Sequence, residues 1–252
     1  MLSYYSSLSA EVYDLDKPIG KSFGDVEFYK ERLAGNEGRI LEPATGTGRL
    51  LVPLLEDGLH IDGFDSSPEM LDICRAHCKE RGLHPKLFEA DMETFRIDVE
   101  YDAIILPAGT FQLLAGREQA IKALKNFRKH LAPGGRLLVD LYVPQGFEVD
   151  RPRTRTWQTK AGEVITLESK TVEVDWIKQY SVSHNRYEKW QGGKLIQTEL
   201  ERFPMRWYGV EEFKLLLGSQ GFEDIIVSSN YEYGQYPKNA QHAVTFEAIA
   251  HI

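Results

Sequence analysis

The sequence predicts an α/β protein built on a doubly wound, mostly parallel sheet, with an antiparallel β insert before its last helix and strands. Three observations carry that prediction. From Arg39 to Tyr142 short apolar runs alternate with amphipathic stretches, as strands alternate with covering helices in an open parallel sheet. The first run empties into a glycine-rich turn, Ala44-Thr45-Gly46-Thr47-Gly48. Between residues 150 and 203 the helical signals stop and apolar and polar residues alternate instead.

The elements follow in order. Residues 3–16 and 22–34 read as helices, the second closing at Gly35. Arg39–Glu42 is a short strand, and Leu50, Leu51, Leu54 and Leu55 form the apolar face of a helix that ends near Gly58. Ile61–Asp65 is the second strand. Ser67, Pro68 and the acid at Glu69 then open a helix that runs to about Arg81. Residues 86–90 and 101–106 are the third and fourth strands. Ala120, Leu124, Phe127 and Leu131 share one helical face, and Pro133-Gly134-Gly135 breaks that helix before a fifth strand from Arg136 to Tyr142. In the insert, Val172, Val174 and Trp176 alternate with Glu173 and Asp175 as in a half-buried strand, and Gln191-Gly192-Gly193 reads as a hairpin turn. A helix over 211–220 and strands over 222–228 and 243–250 complete the chain. One domain is expected over 1–252: a core of 1–143 and 204–252, with 144–203 as an insert covering a substrate.

Composition narrows the function classes. The 252 residues carry a net charge of −8, which argues against general binding to nucleic acid or anionic membranes. The charge is uneven: residues 1–150 hold 17 basic and 25 acidic groups, whereas 151–210 hold 11 and 7. The longest apolar run, Ala103 to Ala108, is far below the ~20 residues that span a bilayer. No secretory pattern stands at the start, and two cysteines cannot build a disulfide framework, so a reducing cytoplasm is expected.

A glycine-rich turn between strand and helix lets a ligand approach the backbone closely. Asp65 closes the next strand, 19 residues after Gly46, where a carboxylate can accept both hydroxyls of a ribose. The dinucleotide pattern G-x-G-x-x-G fails, because Arg49, Leu50 and Leu51 follow Gly48, and no P-loop is present. The run Leu41-Glu42-Pro43-Ala44-Thr45-Gly46-Thr47-Gly48 resembles the first motif of class I S-adenosylmethionine-dependent methyltransferases. Ala44 departs from it at the first glycine position, a change that costs little so long as φ there is negative. Four further stretches resemble the family in order: Asp65 with Ser66 and Met70, Glu89-Ala90-Asp91-Met92, Tyr101–Leu106, and Leu131–Leu138 with its Pro-Gly-Gly turn.

The resemblance implies a seven-stranded Rossmann-like methyltransferase fold and S-adenosylmethionine as cofactor. It assigns the cofactor loop to Glu42, Ala44, Thr45, Gly46, Gly48 and Arg49, the ribose to Asp65 with Ser66 and Met70 beside it, and the adenine to Asp91 and Met92. Leu106 and Phe111 are expected next to the cofactor as well. Ala10–Leu15 is similar to a segment that closes over the cofactor in small-molecule N-methyltransferases, which makes Tyr13, with Arg49, the candidate for the methionyl carboxylate.

The planar-amide signature of nucleic-acid and glutamine methyltransferases is missing at Leu106-Pro107-Ala108-Gly109-Thr110-Phe111. That stretch resembles its counterpart in sugar-amine and glycine-type N-methyltransferases. The expected reaction is therefore methyl transfer to a nitrogen or oxygen of a small molecule, an anionic one being an option. The alternatives are a tRNA or protein methyltransferase, a non-catalytic S-adenosylmethionine-binding regulator and, more remotely, an NAD-dependent oxidoreductase. A homodimer is allowed. No catalytic residue is assigned. His184 and His242 lie outside the cofactor half and are the histidines to test, while Tyr208 and Tyr231-Glu232-Tyr233 are candidates for the acceptor pocket. Cys74, His77 and Cys78 lack a second ligand cluster, so no metal is expected. Arg151, Arg153 and Arg155 read either as a solvated strand edge or as contacts to an anionic acceptor.

Overall fold

The computed structural model describes residues 6–251. The predicted helix starts at residues 3–5 lie outside them. The helices are α1 (Ser7–Asp16), α2 (Asp25–Leu33), α3 (Leu51–Glu56), α4 (Pro68–Glu80), α5 (Arg117–His130) and α6 (Val210–Ser219). The strands are β1 (Ile40–Pro43), β2 (Ile61–Asp65), β3 (Leu87–Glu89), β4 (Tyr101–Leu106), β5 (Leu131–Leu141), β6 (Arg153–Gln158), β7 (Val164–Asp175), β8 (Tyr180–Gln191), β9 (Lys194–Arg206), β10 (Phe222–Ser229) and β11 (Val244–Ala250). They form a seven-stranded sheet in the order β10-β11-β5-β4-β1-β2-β3 and a four-stranded antiparallel sheet in the order β6-β7-β8-β9. In the larger sheet only β11 runs antiparallel to its neighbours.

The larger sheet reads as its burial requires. β1 and β2 are buried at every position and β4 at all but Asp102, because helices cover both faces. One face packs Phe64, Phe95, Phe127, Phe213 and Phe246 into a single core, and the other packs α2 and α3 through Tyr29, Leu33, Leu51 and Leu54. Ser67 caps α4 by accepting from the Met70 amide at 3.1 Å, with Pro68 in the first turn. Gly192 and Gly193, at φ +57° and +77°, make the tight β8–β9 turn.

Three local expectations need correction. Pro133-Gly134-Gly135 does not lie ahead of β5 but inside it, as an irregularity that shifts the pairing with β4 from Tyr101↔Leu131 to Ala103↔Arg136. The alternation in β7 is broken where the register shifts between Thr171 and Glu173, and Trp176 falls in the following turn at 59% exposure. Ala44 has φ +50°, so the negative φ that would make this alanine cheap is not what the turn adopts. A left-handed non-glycine residue costs about 1–2 kcal/mol.

Candidate functional site

The site lies at the carboxyl ends of β1, β2 and β4, where the parallel strands feed their loops. Glu42, next to last in β1, is 3% exposed and accepts from Thr45 Oγ1 at 3.0 Å. The loop then turns through Ala44, Gly46 (φ +58°) and Gly48 (φ +87°). Gly48 allows no side chain, since a Cβ there would stand 2.8 Å from Cys74 Sγ of α4. Asp65, at the end of β2, holds this loop: its Oδ2 accepts from Gly46 N at 2.9 Å and its Oδ1 from Ser67 N at 2.9 Å.

Charge in this region is buried. The Arg49 guanidinium donates to Asp25 and to the Lys21 carbonyl (2.8 Å), with both members of the Arg49–Asp25 ion pair almost fully enclosed. Burial works against the charge on Arg49, but the Asp25 hydrogen bond and charge outweigh it and hold the guanidinium protonated. Burial pushes the Glu42 carboxyl up to about 8, although Thr45 and Arg49 pull the other way. Burial also raises Asp65, against the backbone N–H groups of Ser67, Gly46 and Ser66. Tyr13 reaches the same place from α1. Its Cε1 lies 3.8 Å from where a Gly46 Cβ would be, and burial raises its phenol while Arg49 lowers it.

The sequence candidates do not all converge. Tyr13, Glu42, Thr45, Gly46, Arg49 and Asp65 meet around the loop, and Met70 Sδ comes within 4.0 Å of the Gly46 Cβ position. Ser66 and Asp91 line an open depression of about 620 Å³ beyond β2, together with Phe88, Ala90 and Arg96. Met92 is buried in the core beside it. Leu106 and Phe111 are fully buried, and the Phe111 ring turns into the core against Phe213 (5.3 Å) and Tyr208 (5.9 Å). His184 and His242 are exposed. Tyr208 is a core residue, Tyr233 lies under the Arg32 guanidinium, and Cys74 and Cys78 are buried on α4.

Two acids went unnoticed in the sequence. Asp25 is the partner that lets Arg49 be buried. Asp140, fully buried near the end of β5, accepts from Tyr29 (3.0 Å), Thr245 (2.7 Å), Tyr231 (3.1 Å) and the Ala108 amide (2.9 Å). It thereby ties the loop after β4 to α2 and β11. Burial raises its carboxyl to about 6. The signal was available: Asp140 ends an apolar strand much as Asp65 does.

These residues fit an adenosyl cofactor without phosphates. Asp65 is oriented by the Gly46 and Ser67 amides, and Thr47 Oγ1 is buried in the loop without a partner. The Arg49 fork is already engaged, by Asp25 and by the Lys21 carbonyl.

Comparison with known proteins agrees. Residues 40–135 match the family model described as a methyltransferase domain. Over 122 residues the chain is 35% identical to a glycine/sarcosine N-methyltransferase of Halorhodospira halochloris, covering 48% of this chain and 45% of that one. Over 149 residues it is 28% identical to a dTDP-3-amino-3,6-dideoxy-α-D-glucopyranose N,N-dimethyltransferase of Streptomyces fradiae, covering 57% of each. The chain thus spans about half the length of these curated relatives. In fold, it matches the sugar N-methyltransferase of a Streptoalloteichus species with a TM-score of 0.74 at 21% identity, over 100% of this chain and 98% of the other.

Proposed function

We propose that the chain is a class I S-adenosylmethionine-dependent methyltransferase that transfers the methyl group to an amine of a small molecule; residues 40–135 match a methyltransferase-domain model. The cofactor supplies a methyl group on a positively charged sulfur. The protein's share is to hold it and keep water away. Asp65 would take the ribose hydroxyls, Asp91 with the Met92 amide the adenine, and Tyr13 with Arg49 the methionyl end. Such displacements gain rate chiefly from alignment in a dry site, so no general base is assigned.

The observation that carries the small-acceptor reading is the roof over the glycine loop. Helix α1 sets Tyr13 on Gly46 from one side. Its other side packs Leu8 and Val12 against Ile165 and Tyr187 of the four-stranded sheet. Glu11–Lys189 (3.0 Å), Asp16–Arg155 and Asp14–His77 (2.8 Å) fasten it at three points. A site roofed in this way suits a metabolite better than a folded RNA or protein. In this reading residues 144–203 cover the acceptor and the rest forms the cofactor core.

The arginine run supports no anionic acceptor, since Arg151 and Arg153 both bind Glu148 and Arg155 binds Asp16. Among the described residues no helix is long and apolar enough to cross a membrane. Two free, buried cysteines fit a cytoplasmic setting. Exposed Leu195, Ile196 and Leu200 along β9, an edge strand, are the surface to examine for a homodimer.

The test is label transfer from methyl-labelled S-adenosylmethionine to glycine, sarcosine and a dTDP-3-amino sugar, with bulk tRNA and protein extract alongside. Methylation of a small amine is expected. Transfer to the macromolecular fractions alone would overturn the reading, and cofactor binding with no transfer anywhere would favour a regulatory protein.

A further inference from the structure

The Asp140 network runs from the core to the surface. Oδ1 of Asp140 accepts from Tyr29 of α2 and Thr245 of β11, and Oδ2 accepts from the Ala108 amide and the Tyr231 phenol. Tyr231 in turn hydrogen-bonds the phenol of Tyr142. Asp140, at 0% exposure, is the inner end of this chain, and Tyr142, at 41%, is its open end. Both residues that meet Oδ2 have left-handed backbones, Ala108 at φ +55° and Tyr231 at φ +60°. A tyrosine rarely adopts that conformation, and such strain collects at functional sites. Tyr142 directly follows β5, so it stands at the carboxyl ends of the parallel strands, where ligands bind in open sheets. The loop after β4 lies against it: a Gly109 Cβ would be 2.8 Å from the Tyr142 ring. The charges that act on its phenol are Asp140, Asp25 and Arg49, the last two being the ion pair beside the glycine loop.

Burial, then the charge of Asp140, raises the phenols of Tyr29, Tyr142 and Tyr231, so all three stay protonated. Asp140 is the member of the chain that can take up a proton. Burial lifts its carboxyl to about 6, Asp25 adds to the rise, and Thr245, the Ala108 amide and Tyr29 oppose it. Methyl transfer to an amine releases a proton, because nitrogen attacks through a lone pair that an ammonium lacks. We propose that Tyr142, Tyr231 and Asp140 form a relay that takes this proton from the acceptor, with Tyr142 the catalytic residue that touches the amine. The ammonium N–H breaks as its proton moves to the Tyr142 oxygen. The Tyr142 proton passes to Tyr231, and the Tyr231 proton to Asp140 Oδ2. The freed lone pair then bonds the methyl carbon, and the carbon–sulfur pair stays on sulfur. Asp140 returns its proton to water by the same path. The relay rests on the small-amine reading, and its test separates the two.

The experiment is methyl transfer to glycine, sarcosine and a dTDP-3-amino sugar, followed against pH for wild-type protein, Tyr142→Phe, Tyr231→Phe, their double variant and Asp140→Asn. Each tyrosine variant should lower kcat at least about tenfold at neutral pH, with S-adenosylhomocysteine affinity unchanged by calorimetry. The double variant should be no slower than either single one, because one break already severs a relay. Asp140→Asn should do the same, and where that variant fails to fold the tyrosine variants decide. Wild-type kcat should fall as pH drops through about 6, where Asp140 takes its proton from solvent, and Tyr142→Phe should lack that fall. Full kcat in Tyr142→Phe, additive losses in the double variant, or an acid fall that survives the break would overturn the relay. So would losses confined to KM or to cofactor affinity, which mark a merely structural role. Wild-type protein that methylates none of the three amines would overturn the small-amine reading, and the relay with it.

Discussion

The glycine loop and the four-stranded sheet handle charge in opposite ways. Around the loop, Glu42, Arg49, Asp25, Asp65 and Asp140 are all buried, and their partners are one another, backbone groups or the hydroxyls of Thr45, Tyr29, Tyr231 and Thr245. On the sheet and its approach, Arg151, Arg153, Arg186 and Arg202 are solvent-facing and paired with solvent-accessible glutamates. Buried pairs are costly to break, whereas exposed pairs contribute little. The basic excess of residues 151–210 therefore says less about a ligand than the few enclosed charges of the acidic half.

That contrast can be broken most forcefully at Asp25. Asp25→Ala leaves Arg49 charged and enclosed, and should lower unfolding free energy by about 3–5 kcal/mol in urea titration. A change too small to measure would remove the distinction between the two regions. Glu42 tests the same enclosure through pH. Its carboxyl is raised to about 8 by burial, so the folded chain holds this proton more tightly than the unfolded chain does. Its contribution is complete below the ordinary carboxyl value near 4.5 and is lost as pH climbs to 8. Thermal unfolding should show stability falling over that interval, and Glu42→Gln should flatten the fall.

Asp65→Ala should weaken S-adenosylhomocysteine at least about tenfold while leaving the fold intact, about 1.4 kcal/mol by calorimetry; unchanged affinity would remove Asp65 from the ribose. Ala44→Gly relieves a left-handed alanine but adds freedom to the unfolded chain, so a gain of about 0.5 kcal/mol is expected from unfolding curves. At the other extreme, the Arg151→Ala and Arg153→Ala double variant should leave the melting temperature and cofactor affinity where they are. A marked loss of either would show that the sheet's surface charge does more than solvate an edge.

The two regions were also unequally legible. Strand order, the turn after β1 and the acid closing β2 are written locally, in runs of a few residues whose spacing is set by backbone geometry. Asp65 could be located at a strand end from such a run, whereas Tyr13 came only from the resemblance carried by Ala10–Leu15. Asp25 could not, because its role depends on α2 docking where Arg49, 24 residues later, comes to rest. Asp140 likewise gains its meaning from four partners on separate elements. The arginines at 151, 153 and 155 suggested a shared face, yet their partners Glu148 and Asp16 lie outside the run, the second 139 residues away. Trp176 was misplaced because a single register shift in β7 ends the alternation early.

The fastening of α1 bears on the tempo of the enzyme as well as its selectivity. The helix is held by two ion pairs and one histidine hydrogen bond to three different elements and by apolar contacts to the second sheet. With the cofactor beneath Tyr13, as proposed, its departure would require these latches to part together, and hydrogen exchange along Leu8–Asp14 that tracks the rate of product release would bear this out.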